Sequence, residues 1–244
     1  MLKAIKDELK NSWQSLLMTV GLGWGLGLLL DLIFICVWMN SAGQSTWSGV
    51  GSIVGLVIVW FTIWLMTLVQ FSTGFALAVT MGRTRRRYVA SALCANLVLG
   101  FVEVAAMLPL VWLEQAVHRN FFAALPLDGG TVRAAYPALW LLQSNLWVAA
   151  LITVTAVALG MLMGALFWRM GQAGFWVIWV LCIGGGALVS YLGRIQHEPF
   201  LALQANLIAW AQSITAPGWA VLWAAACAVV LLGSWILVHR AAVK

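Results

Sequence analysis

No charged residue lies between Asp31 and Arg83, between Arg87 and Glu103, between Arg133 and Arg169, or between Arg169 and Arg194. Stretches of this kind leave few folds open, because crossing a hydrocarbon core of about 30 Å takes roughly 20 helical residues. Hydrophobic residues make up 64% of the 244 residues and charged ones only 8%. A soluble domain carries about 25% charged residues to wet its surface. The chain reads as an all-α polytopic membrane protein. In that setting its net charge of +6 points to basic loops facing an anionic leaflet, not to nucleic acid.

The one dense run of charge is Met81 to Tyr88, MGRTRRRY, with Arg83, Arg85, Arg86 and Arg87. A basic knot between two apolar segments marks the cytoplasmic turn of a membrane hairpin. The remaining spans are laid out from it.

Residues 1–14 set Lys3, Lys6 and Lys10 against Leu2, Ile5, Leu9 and Trp13 at helical spacing, which predicts an amphipathic helix lying along the interface. It reads as retained, since the apolar segment behind it is too long for a signal peptide. Residues 15–244 then form a single six-span domain. The first span, Leu16 to Trp38, holds Gly21/Gly25 and Gly23/Gly27, an i,i+4 spacing that lets helices approach closely in lipid. The second starts near Val50 and runs on to the knot, longer than a bilayer requires. The third, Val89 to Trp112, contains Glu103 and Pro109; residues 114–137, with Glu114, His118 and Arg119, read as the longest polar loop. Leu139 to Phe167 and Phe175 to Leu192 are the fourth and fifth spans, joined by a tight turn at Gly171 to Gly174. Pro199 to Ile214 is uncharged but too short to cross, and reads as a re-entrant or interfacial helix. Pro217 opens the sixth span, which ends near Val238. With both termini in the cytosol, ten basic residues fall inside (Lys3, Lys6, Lys10, the four knot arginines, Arg169, Arg240 and Lys244), against Arg119, Arg133 and Arg194 outside.

Catalytic signatures are missing: there is no H-E-x-x-H, G-x-S-x-G or phosphate-binding loop. No metal site or disulfide is indicated, because Cys36, Cys94, Cys182 and Cys227 never stand at C-x-x-C spacing and read as buried free thiols. Asp31 and Glu103 are the acids at membrane depth. A lone acid there costs about 2.5–3.5 kcal/mol on insertion scales, so both should face protein or a watery cavity. They are candidates for a translocation path, or for interhelical hydrogen bonds.

The stretch Phe71 to Leu93, FSTGFALAVTMGRTRRRYVASAL, resembles the hinge between the second and third spans of small bacterial permeases, the membrane subunits of type-2 ABC exporters. Gly82, Arg83, Thr84, Arg85 and Tyr88 carry the likeness, with Arg83 one place off the usual order. The amphipathic helix, six spans, cytoplasmic termini and re-entrant helix agree with that class along the whole chain. The resemblance implies a transport subunit, not an enzyme, located in the cell membrane with no cofactor of its own. ATP and magnesium would sit on a separate ATP-binding partner, present in two copies, docked on Gly82 to Tyr88 (with Arg86 and Arg87) and on the amino-terminal helix. A second permease copy, identical or different, would pack through the first-span glycines Gly21, Gly23, Gly25 and Gly27 and the fifth span. The expected cargo is an amphipathic peptide or another hydrophobic compound. Two rivals stand beside it: a membrane scaffold that moves nothing, and a proton-coupled carrier using Asp31 and Glu103.

Overall fold

The structure, a computed structural model, describes residues 13–40, 50–80, 82, 84–121, 137–192, 205–206, 209–210 and 212–240. The elements in chain order are α1 (Trp13–Asn40), α2 (Val50–Val69), a π-turn (Gln70–Gly74), α3 (Phe75–Thr80), α4 (Arg85–Ala105), α5 (Leu108–Phe121), α6 (Pro137–Leu139), a second π-turn (Trp140–Ser144), α7 (Leu146–Met170), α8 (Gln172–Leu192) and α9 (Ala216–Arg240). Every one of them is helical, as the uncharged stretches require. Among the described residues, five segments are long and apolar enough to cross a membrane: Leu16–Ile33, Val50–Thr80, Arg85–Ala116, Leu146–Met170 and Ala216–Val238. Large apolar side chains such as Leu22, Leu32, Phe61, Val221 and Val229 stand exposed on these helices. Water would not tolerate so much apolar surface, and hydrocarbon does. The chain is a membrane-embedded helical protein. The amino-terminal interfacial helix and most of the re-entrant segment fall outside the described residues.

α2 is the shared helix of the bundle, and glycines let its neighbours reach it. A Cβ at Gly27 would stand 2.9 Å from the Gly51 carbonyl oxygen, and one at Gly55 would stand 2.8 Å from the Gly23 carbonyl oxygen. Gly23 and Gly27 of α1 therefore cross Gly51 and Gly55 of α2 backbone to backbone. Further along, Cβ atoms at Gly160 and Gly164 of α7 would each come within 2.6 Å of a carbonyl oxygen of α2, Trp64 and Leu68 respectively. Without a hydrophobic drive inside lipid, contact of this kind is what holds helices together. Leu56, Val59, Met107, Leu110 and Val157 fill the space between the crossings, all fully buried.

Three expectations need correction. Glu114, assigned to a loop, lies in α5, which continues to Phe121. Pro109 is the second residue of that helix, where its missing N–H costs nothing and its fixed φ suits the first turn, so it restarts a helix after a break at Ala106 and Met107. Trp24 of α1 donates its indole N–H to the Ala106 carbonyl at 3.0 Å, serving the backbone at that break. The fourth span is also interrupted: Asn145 adopts φ −136° and ψ 45° between the second π-turn and α7. Finally, Cys36 is exposed while Cys227 is buried, so the thiols do not share one environment.

Candidate functional site

Asp31 and Glu114, placed far apart by the sequence reading, meet at the first turn of α2. The Gly51 amide donates to Asp31 Oδ1 at 3.0 Å. The Ser52 amide donates to Glu114 Oε1 at 3.4 Å, and the Ser52 hydroxyl donates to Glu114 Oε2. The two carboxyl groups are thereby seated side by side, on the consecutive residues Gly51 and Ser52. Both acids are buried, Asp31 at 8% exposure and Glu114 at 5%. The first turn of a helix has amide groups with no partner inside the helix and a positive dipole end, which suits carboxylates. Gly51 is the residue that permits this: the Asp31 carboxyl fills the position a Cβ at 51 would take. Three separate helices thus converge on one pair of acids.

Glu103 does not join them. It lies on α4 at 5% exposure, and its carboxyl has no hydrogen-bond or ionic partner among the described residues. Asp31 and Glu103, paired in the sequence reading, are separate features. Ser52 and Glu114 were missed as site residues. A signal for Glu114 was present, since Leu110, Val111 and Glu114 recur at helical spacing behind Pro109 and all three are buried.

The opposite end carries the arginines. Gly82 has φ +80°, a left-handed conformation that glycine adopts without steric cost, and its amide donates to the Val79 carbonyl at 3.1 Å. Thr84 is extended, and its carbonyl accepts the first helical bond of α4 from the Tyr88 amide at 3.0 Å. Arg86 and Arg87 are exposed in that first turn and Arg85 is half-buried; Arg83 lies outside the described residues. Tyr88 turns inward at 3% exposure. Its ring packs edge-on to Phe71 and Phe75, with centroids at 6.1 and 5.7 Å, and Phe75 meets Trp168 of α7 at 4.8 Å. The Asn96 side-chain amide donates to Gln70 Oε1 at 2.6 Å. The π-turn at Gln70–Gly74 is thereby tied to α4 at two levels, which accounts for the overlong second span: its far end is folded against protein.

Of the first-span glycines, Gly23 and Gly27 are used within the chain, whereas Cβ atoms at Gly21 and Gly25 would meet nothing within 4 Å. A cavity of about 200 Å³ opens between α4 and α7, lined by apolar groups and Thr153. The Thr153 hydroxyl is already engaged, accepting from Trp60 Nε1 at 3.1 Å and donating to the Ala149 carbonyl at 2.8 Å. No cluster of three or more His, Cys, Asp or Glu that could hold a metal ion occurs among the described residues. No protein-family model, curated protein or solved structure matches the chain.

Proposed function

We propose that this chain is the membrane-spanning subunit of an ATP-driven exporter of the type-2 ABC permease class, moving amphipathic peptides or other hydrophobic compounds out of the cell. The observation that carries the reading is the arginine end. Arginines in the first turn of a helix oppose its dipole, and Arg86 and Arg87 stand exposed there; an acidic surface facing them from the aqueous side would offset that cost. Tyr88 links the same turn to the π-turn of α2 and, through Phe75, to α7. A push on the arginines would therefore reach three spans. In this reading the arginine end is cytoplasmic, both termini are inside, and α8, with 21 residues and no charge, counts as a sixth span. The ATP-binding partner docks on Gly82 to Tyr88, and a second permease copy uses the free face at Gly21 and Gly25.

The test is co-purification from native membranes in mild detergent. An ATPase retained by the wild type and lost when Arg83, Arg85, Arg86 and Arg87 become alanine, with insertion and orientation intact, supports the docking. No ATPase with the wild type sinks the exporter reading.

One observation favours a second reading. Glu103 is buried without a partner among the described residues, and an unpaired acid at membrane depth is a default candidate for carrying a proton. A proton-coupled carrier would move cargo in proteoliposomes under a pH gradient without ATP, and would stop on Glu103→Gln.

A further inference from the structure

At the junction of α1, α2 and α5, Asp31 and Glu114 face each other across the first turn of α2 (Asp31 on the Gly51 amide, Glu114 on the Ser52 amide and hydroxyl). Two buried carboxyl groups seated on the consecutive residues Gly51 and Ser52 cannot both stay ionised without strong repulsion, so the pair holds one proton between them. With that proton the pair bears a single negative charge. The end of α2 supplies about half a positive charge and two amide donors to meet it. A second negative charge has no counterpart here among the described residues. α2 contributes no titratable side chain. α1 adds only Asp31 at the junction and the exposed thiol of Cys36 beyond it. α5 adds Glu114, with His118 and Arg119 following further along the helix. Like charges in contact cannot both persist without strong repulsion.

We propose that Asp31 and Glu114 form a one-proton latch. With the proton shared, the latch clamps α1 and α5 onto the start of α2; with the proton gone, the two carboxylates repel and this end of the three-helix wedge parts. Gly51 is the keeper of the latch, since a side chain there would occupy the place of the Asp31 carboxyl. The Gly23/Gly27 crossing on Gly51/Gly55 begins one turn away and holds α1 on α2, so motion is confined to the end that the acids bridge. The latch goes beyond the exporter reading, because it opens or stays shut whichever energy source drives transport.

The test uses the full chain in liposomes, with nitroxides at Ile33→Cys on α1 and Leu113→Cys on α5 and the native cysteines replaced. Both label sites are exposed. Double electron–electron resonance is recorded from about pH 5 to about pH 9, a range that brackets a shared carboxyl proton. The expected result is an α1–α5 distance that lengthens by about 2–5 Å at the alkaline end, the scale of helix shifts in known switches. Asp31→Asn keeps an acceptor for the Gly51 amide and removes one of the two charges, so it should hold the short distance at every pH; Glu114→Gln should do the same. A wild-type distance that ignores pH overturns the latch, as do variants that respond like the wild type. If neither variant inserts, the wild-type response alone decides. An ATPase recovered or missed in the co-purification bears on the exporter and leaves this result standing.

Discussion

The phenolic oxygen of Tyr88 lies 3.0 Å from the Gln70 carbonyl oxygen and donates to it, in a space that exists because residue 74 has no side chain: a Cβ there would stand 2.9 Å from the hydroxyl. Glycine, π-turn and tyrosine form one device. It joins the far end of α2 to the first turn of α4, and the arginines ride on the outside of that turn.

Tyr88→Phe keeps the ring among Phe71 and Phe75 and removes only the hydroxyl. The expected loss is about 1 kcal/mol, the net worth of one hydrogen bond. Gly74→Ala should cost more, about 1–3 kcal/mol, because the new methyl displaces the hydroxyl and strains the packing. Thermal unfolding of both variants in detergent checks the order. Equal midpoints for Tyr88→Phe and Gly74→Ala would show that the hydroxyl is not seated against Gly74.

Glycines at the α1–α2 crossing and glycines on the open face of α1 should behave oppositely. Gly55→Val drives a side chain into the Met107 methyl, 2.6 Å from the Cβ position, and into the Gly23 backbone; it should destabilise the fold by about 1–3 kcal/mol. Gly25→Ala meets nothing within 4 Å and should leave the isolated chain as stable or up to about 1 kcal/mol more stable through helix propensity. Unfolding midpoints test this directly. A Gly25 variant of normal stability that no longer associates with a second copy, measured by cross-linking in membranes, would assign that face to an interface between copies.

Much of this arrangement was readable in the residues, and the remainder was not for identifiable reasons. Uncharged runs declared the helices, and Gly23 and Gly27 declared a close approach. Gly21 and Gly25 have the same spacing, yet only tertiary placement of Gly51 and Gly55 decides which pair is covered. The π-turn at Gln70–Gly74 adds a residue to a helical turn without any change in composition, and Gly74 is its sole trace. Glu114 was lost to a polar neighbourhood, Glu-Gln with His-Arg-Asn after it, that resembles a loop; Pro109 at a helix start outweighs that polarity. The convergence of Asp31 on Gly51 and of Glu114 on Ser52 depends on three helices meeting, and one-dimensional spacing contains no such information.

Glu103→Leu should raise stability. Burying a polar group without a partner costs about 1–3 kcal/mol by mutational measures, and leucine removes that cost at similar size. A variant with a higher unfolding midpoint and no transport would mean that the acid is kept for function at the expense of stability. A higher midpoint with transport unchanged would make Glu103 a structural residue.

Trp24→Phe removes the indole donor to the Ala106 carbonyl and keeps an aromatic ring between α1 and the α4–α5 break. A loss of about 1 kcal/mol is expected, accompanied by faster amide exchange around Met107, where that break is served by a side chain instead of helical bonds alone. Hydrogen exchange read by mass spectrometry would detect the change. Unaltered exchange would place the support of the break elsewhere.

The backbone crossing of Gly23 and Gly27 on Gly51 and Gly55 also bears on biogenesis. α1 and α2 are consecutive, and all of their mutual contacts are available before α4 has been translated. An acid entering hydrocarbon alone is expensive, but Asp31 travels in a hairpin whose second arm brings the Gly51 amide to its carboxyl. The nascent chain can therefore shield its first membrane acid within the helical hairpin, as the pair leaves the translocation machinery, and receive Glu114 later as the third arm arrives. Insertion order and final architecture would then be the same sequence of events.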